Sequence, residues 1–124
     1  MTFSKKMSCL FNSLGFLLDV DSTALRQQIC DAFEANVPLM DGVETKDLLF
    51  LTEGPDYIAH MRSRSSWGGA YEIQMACILY EIRVLVENRR DGTAPIEFLP
   101  YGKTHARTAV IYWTGGHYEP VSIL

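Results

Sequence analysis

At Ile82 the hydrophobic period of the chain changes from helical to alternating, which restricts the fold classes open to it. Before that point Leu10, Leu14, Leu17 and Leu18 stand at i, i+4, i+7 and i+8, so a helix is expected to begin near Cys9. Ser22 reads as the N-cap of a second helix, in which Leu25, Ile29 and Phe33 fall at steps of four. Gly54-Pro55 breaks the chain before a short helix carrying Tyr57, Ile58 and Met61. Another helix follows Gly68-Gly69, with Ile73, Ala76, Cys77 and Tyr80 on one face. Ile82, Val84 and Val86 then alternate with polar neighbours, as a half-buried strand requires. Asp91-Gly92 marks a turn, and Ile96 and Phe98 alternate in the strand after it. Ala109 to Trp113 is a continuous apolar run of strand length, read as a strand buried on both faces. Thr114-Gly115-Gly116 turns the chain back, and His117 to Val121 is its partner strand. Helices first and strands later, without βαβ alternation, predict an α+β domain with a small antiparallel or mixed sheet.

The 124 residues suit one domain spanning the whole chain, 1–124. With 48% hydrophobic and 21% charged residues, the chain is globular rather than disordered. A net charge of -4 with no Lys/Arg run argues against nucleic acid as a partner, while an acidic face would steer a basic protein. The most apolar stretch, Cys9 to Val20, is broken by Asn12, Ser13 and Asp19 and falls short of the roughly 20 residues a membrane span needs. Lys5 and Lys6 precede it, but no small-residue cleavage pattern follows, so it reads as part of the mature domain rather than a signal peptide. Three cysteines, an odd number without metal spacing, point to a reducing compartment and no disulfide framework. A cytoplasmic monomer with no metal or cofactor is the expectation.

Cysteine is a nucleophile only as thiolate, which a helix N-terminus or a nearby histidine favours. Cys9 stands where the first helix begins, and its own N–H is one of the unpaired donors there, suited to a developing oxyanion. The alternative for Cys9 is a small buried hydrophobe, the usual place of a free cysteine. Cys30 and Cys77 lie on apolar helical stripes and belong to the core. His60, beside Arg62 and Arg64, and His105, between Lys103 and Arg107, read as surface residues. His117 differs: it follows a glycine pair and opens a strand, with Glu119 two residues on and on the same face. Glu119 would accept the Nδ1 proton of His117 and fix its tautomer; the other reading is an exposed His–Glu pair on an edge strand.

Three blocks carry a resemblance. Ser8-Cys9-Leu10-Phe11-Asn12-Ser13-Leu14 resembles the nucleophile motif of the ovarian-tumour (OTU) family of cysteine proteases. Tyr57-Ile58-Ala59-His60-Met61 followed by Trp67-Gly68-Gly69-Ala70-Tyr71-Glu72-Ile73 looks like the family's central block. Tyr112-Trp113-Thr114-Gly115-Gly116-His117-Tyr118-Glu119 is similar to its histidine block, which usually ends in His-Tyr-Asp or His-Tyr-Asn. The blocks occur in the family's order from Ser8 to Val121, nearly the whole chain.

The resemblance implies an OTU-type, papain-like fold and a thiol-dependent deubiquitinase. Such an enzyme hydrolyses the isopeptide bond after the C-terminal glycine of ubiquitin. It implies Cys9 as nucleophile, His117 as general base and acid, and Glu119 at the position of the orienting residue. Backbone N–H groups of Met7, Ser8 and Cys9 would hold the oxyanion, and Gly115-Gly116 would leave room for a Gly-Gly tail. Trp67 and Gly68 are assigned to packing and a turn. Lys6-Met7 stands where the family usually has Asp-Gly, and Glu119 replaces Asp or Asn. These departures motivate an alternative, an OTU-like module that binds ubiquitin without turnover. A further alternative is a viral protease that also processes a polyprotein. The compact size suits a virus or pathogen effector, which would act in host cytoplasm on ubiquitin or a ubiquitin-like modifier.

Overall fold

A computed structural model describes residues 8–124. Five helices and four strands follow in order among these residues: α1 Cys9–Leu18, α2 Ser22–Glu34, α3 Thr45–Glu53, α4 Tyr57–Met61, α5 Ala70–Tyr80, β1 Ile82–Asn88, β2 Ile96–Phe98, β3 Arg107–Trp113 and β4 Tyr118–Ile123. The strands form one sheet in the order β2-β1-β3-β4. β1 and β3 run parallel with Ile82 opposite Arg107, and both outer pairs are antiparallel. The architecture is α+β with a small mixed sheet, as the change of period predicts.

The helical stripes bury where the spacing places them. Leu10 and Leu14 of α1, and Leu25, Ile29 and Phe33 of α2, are all within 1% of complete burial. The cap of α2 lies one residue earlier than expected: Asp21, not Ser22, precedes the helix, and its carboxylate accepts from the Ala24 N–H at 3.0 Å. Both residue types cap well, and Asp21 is the one whose backbone is extended, at φ -59 and ψ 134. Helix α3 had no sequence signal, because only Thr45 and Leu49 of its residues are buried, while Phe50 and Leu51 face solvent. Two buried positions four apart are too few to show a period.

Strand β1 alternates as expected, with Ile82, Val84 and Val86 inward. Strand β3 does not match its expectation. Ala109 and Ile111 are completely buried, but Val110 and Tyr112 are only half-buried, so one face is closed and the other partly open. Helix α5 covers β1, and α1 lies against β4 and β3. β4 is an edge strand, which is why Pro120, with no N–H to donate, is tolerated opposite Ile111.

Gly68 lies against α1. A Cβ there would stand 2.8 Å from Leu10 Cδ2 and 2.8 Å from Phe11 Cε2. Both side chains are fully buried and have no room to yield. Gly68→Ala is therefore expected to lower stability by about 1–3 kcal/mol, read as a shift in urea midpoint with unchanged slope.

Candidate active site

The site begins at the start of α1. Ser8 occupies the N-cap position with φ -98 and ψ 16, and its side chain makes no cap hydrogen bond. Cys9 is the first helical residue, where backbone N–H groups and the helix dipole present positive charge. Ser13 returns its hydroxyl to the Cys9 carbonyl at 2.7 Å, tying the first turn together. The Cys9 thiol is 3% exposed, and its Sγ accepts a hydrogen bond at 3.3 Å from the backbone N–H of Tyr118, 109 positions along the chain. The β3–β4 hairpin makes this contact possible. The Thr114 N–H donates to the His117 carbonyl at 3.1 Å, closing a turn in which Gly115 takes φ +107. The turn delivers His117 and Tyr118 to the mouth of α1.

His117 pairs with Glu119, but through Nε2 rather than through Nδ1 as expected from the sequence. The correction has a chemical consequence. With the Glu119 carboxylate on Nε2, Nδ1 is the ring nitrogen left for another partner. Both side chains are partly exposed, at 38% and 43%. His60 and His105 are exposed, as the sequence indicates.

Burial pushes the Cys9 thiol above its usual range. The N–H groups of Tyr118, Leu10 and Cys9 act against this, and the Glu119 charge reinforces it. The resting cysteine is thus a shielded thiol already surrounded by donors suited to the anion. Cys30 and Cys77 are completely buried, and desolvation raises their thiols to about 11 and about 12, in keeping with core roles.

The remaining expected positions divide. Ser8 and Cys9 are in place at the helix start, whereas Met7 and the neighbouring Lys6 lie outside the described residues. The space over Gly115 is taken by the stem of Arg90, whose Cδ would stand 2.8 Å from an added Cβ; nothing lies within 4 Å over Gly116. Of the two glycines, Gly116 borders open space. Trp67, assigned to packing, is 43% exposed. Gly68 is in contact with α1 as described. Among the described residues, no three His, Cys, Asp or Glu side chains come together as a metal site would need.

A buried polar network behind Cys9 leaves little trace in the sequence. Arg26 of α2 is 1% exposed and donates to the Met61 carbonyl at 2.8 Å and to Ser8 Oγ at 3.2 Å, while its guanidinium lies 4.2 Å from the centre of the Phe11 ring. Glu72 of α5 is completely buried, accepting from the Tyr57 hydroxyl at 2.6 Å and the Gly69 N–H at 2.7 Å. Burial raises both the Glu72 carboxyl and the Tyr57 hydroxyl. One signal was available: Arg26, Cys30 and Phe33 stand at i, i+4 and i+7, so the arginine shares the buried stripe. Tyr118 was missed for a different reason, since it contributes its backbone N–H, which no residue type reports.

Beside the hairpin lies an apolar cleft of about 200 Å³, with Ile73, Val86, Ile96, Phe98, Trp113 and Tyr118 in its walls. Tyr118 borders the cleft and also lends its backbone N–H to Cys9.

No family model and no curated protein sequence matches the chain. Solved structures do. An OTU domain in complex with ubiquitin superposes with a TM-score of 0.75 at 21% identity, over 94% of this chain and 64% of that one. The viral OTU domain protease from Dera Ghazi Khan virus gives 0.66 at 21% identity, over 94% and 75%. An OTU deubiquitinase from Wolbachia pipientis wMel gives 0.64 at 20% identity, over 96% and 83%. The chain therefore spans just under two thirds of the first of these domains and more of the others. It has the OTU fold, with the papain-like order of helices followed by a sheet.

Proposed function

We propose that this chain is a cysteine isopeptidase that cleaves after the C-terminal glycine of ubiquitin, with Cys9 as nucleophile and His117 as base and acid. The observation that carries the reading is the meeting of Cys9 Sγ with the backbone of the residue next to His117, at a helix N-terminus and on an OTU fold. Two of the similar structures are OTU domains bound to ubiquitin, which makes ubiquitin the first substrate to test.

The proposed reaction begins at Cys9. His117 Nδ1 takes the thiol proton as Cys9 Sγ forms a bond to the glycine carbonyl carbon. The oxygen that becomes negative is held by N–H groups at the start of α1, each such donor being worth about 3 kcal/mol in the transition state. The imidazolium, its Nε2–H hydrogen-bonded to Glu119, gives the Nδ1 proton to the lysine amine as the C–N bond breaks. A thioester remains. Water, deprotonated by His117, adds to it; the C–S bond breaks, the thiolate regains its proton, and ubiquitin leaves with a free carboxylate. The open space over Gly116 would admit the glycines of the tail.

Glu119→Ala frees the imidazole ring to rotate and removes the charge that holds the Nε2 proton. It is expected to lower kcat on a ubiquitin–lysine isopeptide on the order of tenfold to a hundredfold, with KM little changed, in steady-state assays.

A second reading, ubiquitin binding without turnover, is favoured by the raised Cys9 thiol and its near-complete burial. A ubiquitin probe with a C-terminal electrophile separates the two. A covalent adduct that is lost in Cys9→Ala supports the protease. Folded protein that binds ubiquitin but forms no adduct supports the binding module.

A further inference from the structure

Ser8 precedes the nucleophile and belongs to a residue type that normally caps a helix by accepting a backbone N–H of the first turn. Here its side chain makes no cap bond, and its Oγ accepts instead from Arg26 Nη2 at 3.2 Å. The Ser8 side chain thereby caps none of the first-turn N–H groups, at the place where an oxyanion would need them. Arg26 is held on several sides. Its Nη1 donates to the Met61 carbonyl at the end of α4 at 2.8 Å, and its Cζ lies 4.2 Å from the centre of the Phe11 ring of α1. The guanidinium thus ties the residue before Cys9 to α2 and α4. A lysine in its place has one point charge and no planar fork to span Ser8 and Met61.

We propose that Arg26 is a positioning residue for the reaction at Cys9: by taking the Ser8 hydroxyl it keeps that side chain off the first turn of α1 and fixes the thiol and its neighbouring N–H donors in register. This role rests on the reading of Cys9 as a nucleophile. It differs from packing alone because it acts through Ser8, and Ser8→Ala removes the contact while leaving the rest of the Arg26 shell intact.

The test is a double-mutant cycle on Arg26→Lys and Ser8→Ala with two readouts. One is the pH profile of Cys9 alkylation by iodoacetamide, followed by mass spectrometry of the Cys9 peptide. The other is kcat and KM on a ubiquitin–lysine isopeptide. Each single variant is expected to slow alkylation at neutral pH and to lower kcat by about fivefold or more, with KM within about twofold. The double variant is expected to be no slower than the slower single, because both remove one contact. Ser8→Thr, which keeps the hydroxyl, recovers at least half of the loss. Losses that multiply in the double variant overturn the proposal. So do single variants that alkylate at the wild-type rate and pH profile while only their melting temperature falls. If Arg26→Lys does not fold, Ser8→Ala decides alone, and a wild-type alkylation profile there overturns the proposal. Coupled alkylation without turnover of ubiquitin would sink the substrate assignment and leave the positioning role standing. Turnover without coupling would do the reverse.

Discussion

Cys9→Ala is expected to lower cleavage of a ubiquitin–lysine isopeptide by about a millionfold, the scale at which a nucleophilic enzyme loses its attacking atom. His117→Ala is expected to approach the same loss, since in the proposed mechanism the two groups act as a unit and their effects do not add. Stability changes little by comparison. Cys9 is buried, but the substitution removes one sulfur atom, worth about 1 kcal/mol, and Ala is a better helix former at the first turn. Ubiquitin affinity measured by calorimetry is expected to survive in Cys9→Ala, because the surface that binds the body of the substrate is untouched. Wild-type cleavage no faster than Cys9→Ala, with affinity intact, would move the chain to the binding-module reading.

The second large effect concerns Gly15, near the end of α1. A Cβ at this position would lie 2.5 Å from the Val20 carbonyl oxygen and 3.5 Å from the Ser22 backbone nitrogen. Neither neighbour is a flexible side chain. Val20 is held by its N–H on the Gly15 carbonyl at 2.8 Å, and Asp19 takes a left-handed conformation, φ 59 and ψ 47, to make that turn. The loop from α1 into α2 has to move for any side chain to fit. Gly15→Ala is expected to cost about 2–4 kcal/mol and to lower the melting temperature by about 10 °C. Gly116→Ala is the control. Nothing lies within 4 Å of its added Cβ, and a change of less than about 1 kcal/mol is expected there. Equal losses at the two positions in thermal melts would show that conformational freedom, and not the close approach, sets the cost.

The same contrast explains which parts of the molecule can be read in one dimension. Stripes such as Leu25, Ile29 and Phe33, and the alternation of Ile82, Val84 and Val86, report burial through their spacing, because a helix or strand turns its residues by a fixed angle. Helix α3 left no such trace: it packs through two side chains and leaves Phe50 and Leu51 in water. Strand β3 misled for a related reason. A continuous apolar run gives no alternation, so it cannot tell a strand closed on both faces from one with Val110 and Tyr112 half open.

The site divides along the same line. Cys9 at a helix start, His117 after a glycine turn and Glu119 two residues later are local patterns, and the sequence by itself determined all three, with the order of helices before strands. Which nitrogen of His117 meets Glu119, the N–H that Tyr118 lends to Cys9, and the hold of Arg26 on Ser8 were decided only by the tertiary structure. The physical reason is that periodicity describes a residue's neighbours along its own element. A hydrogen bond between α1 and β4, or between α2 and the residue before α1, depends on how separate elements pack, which no single segment encodes.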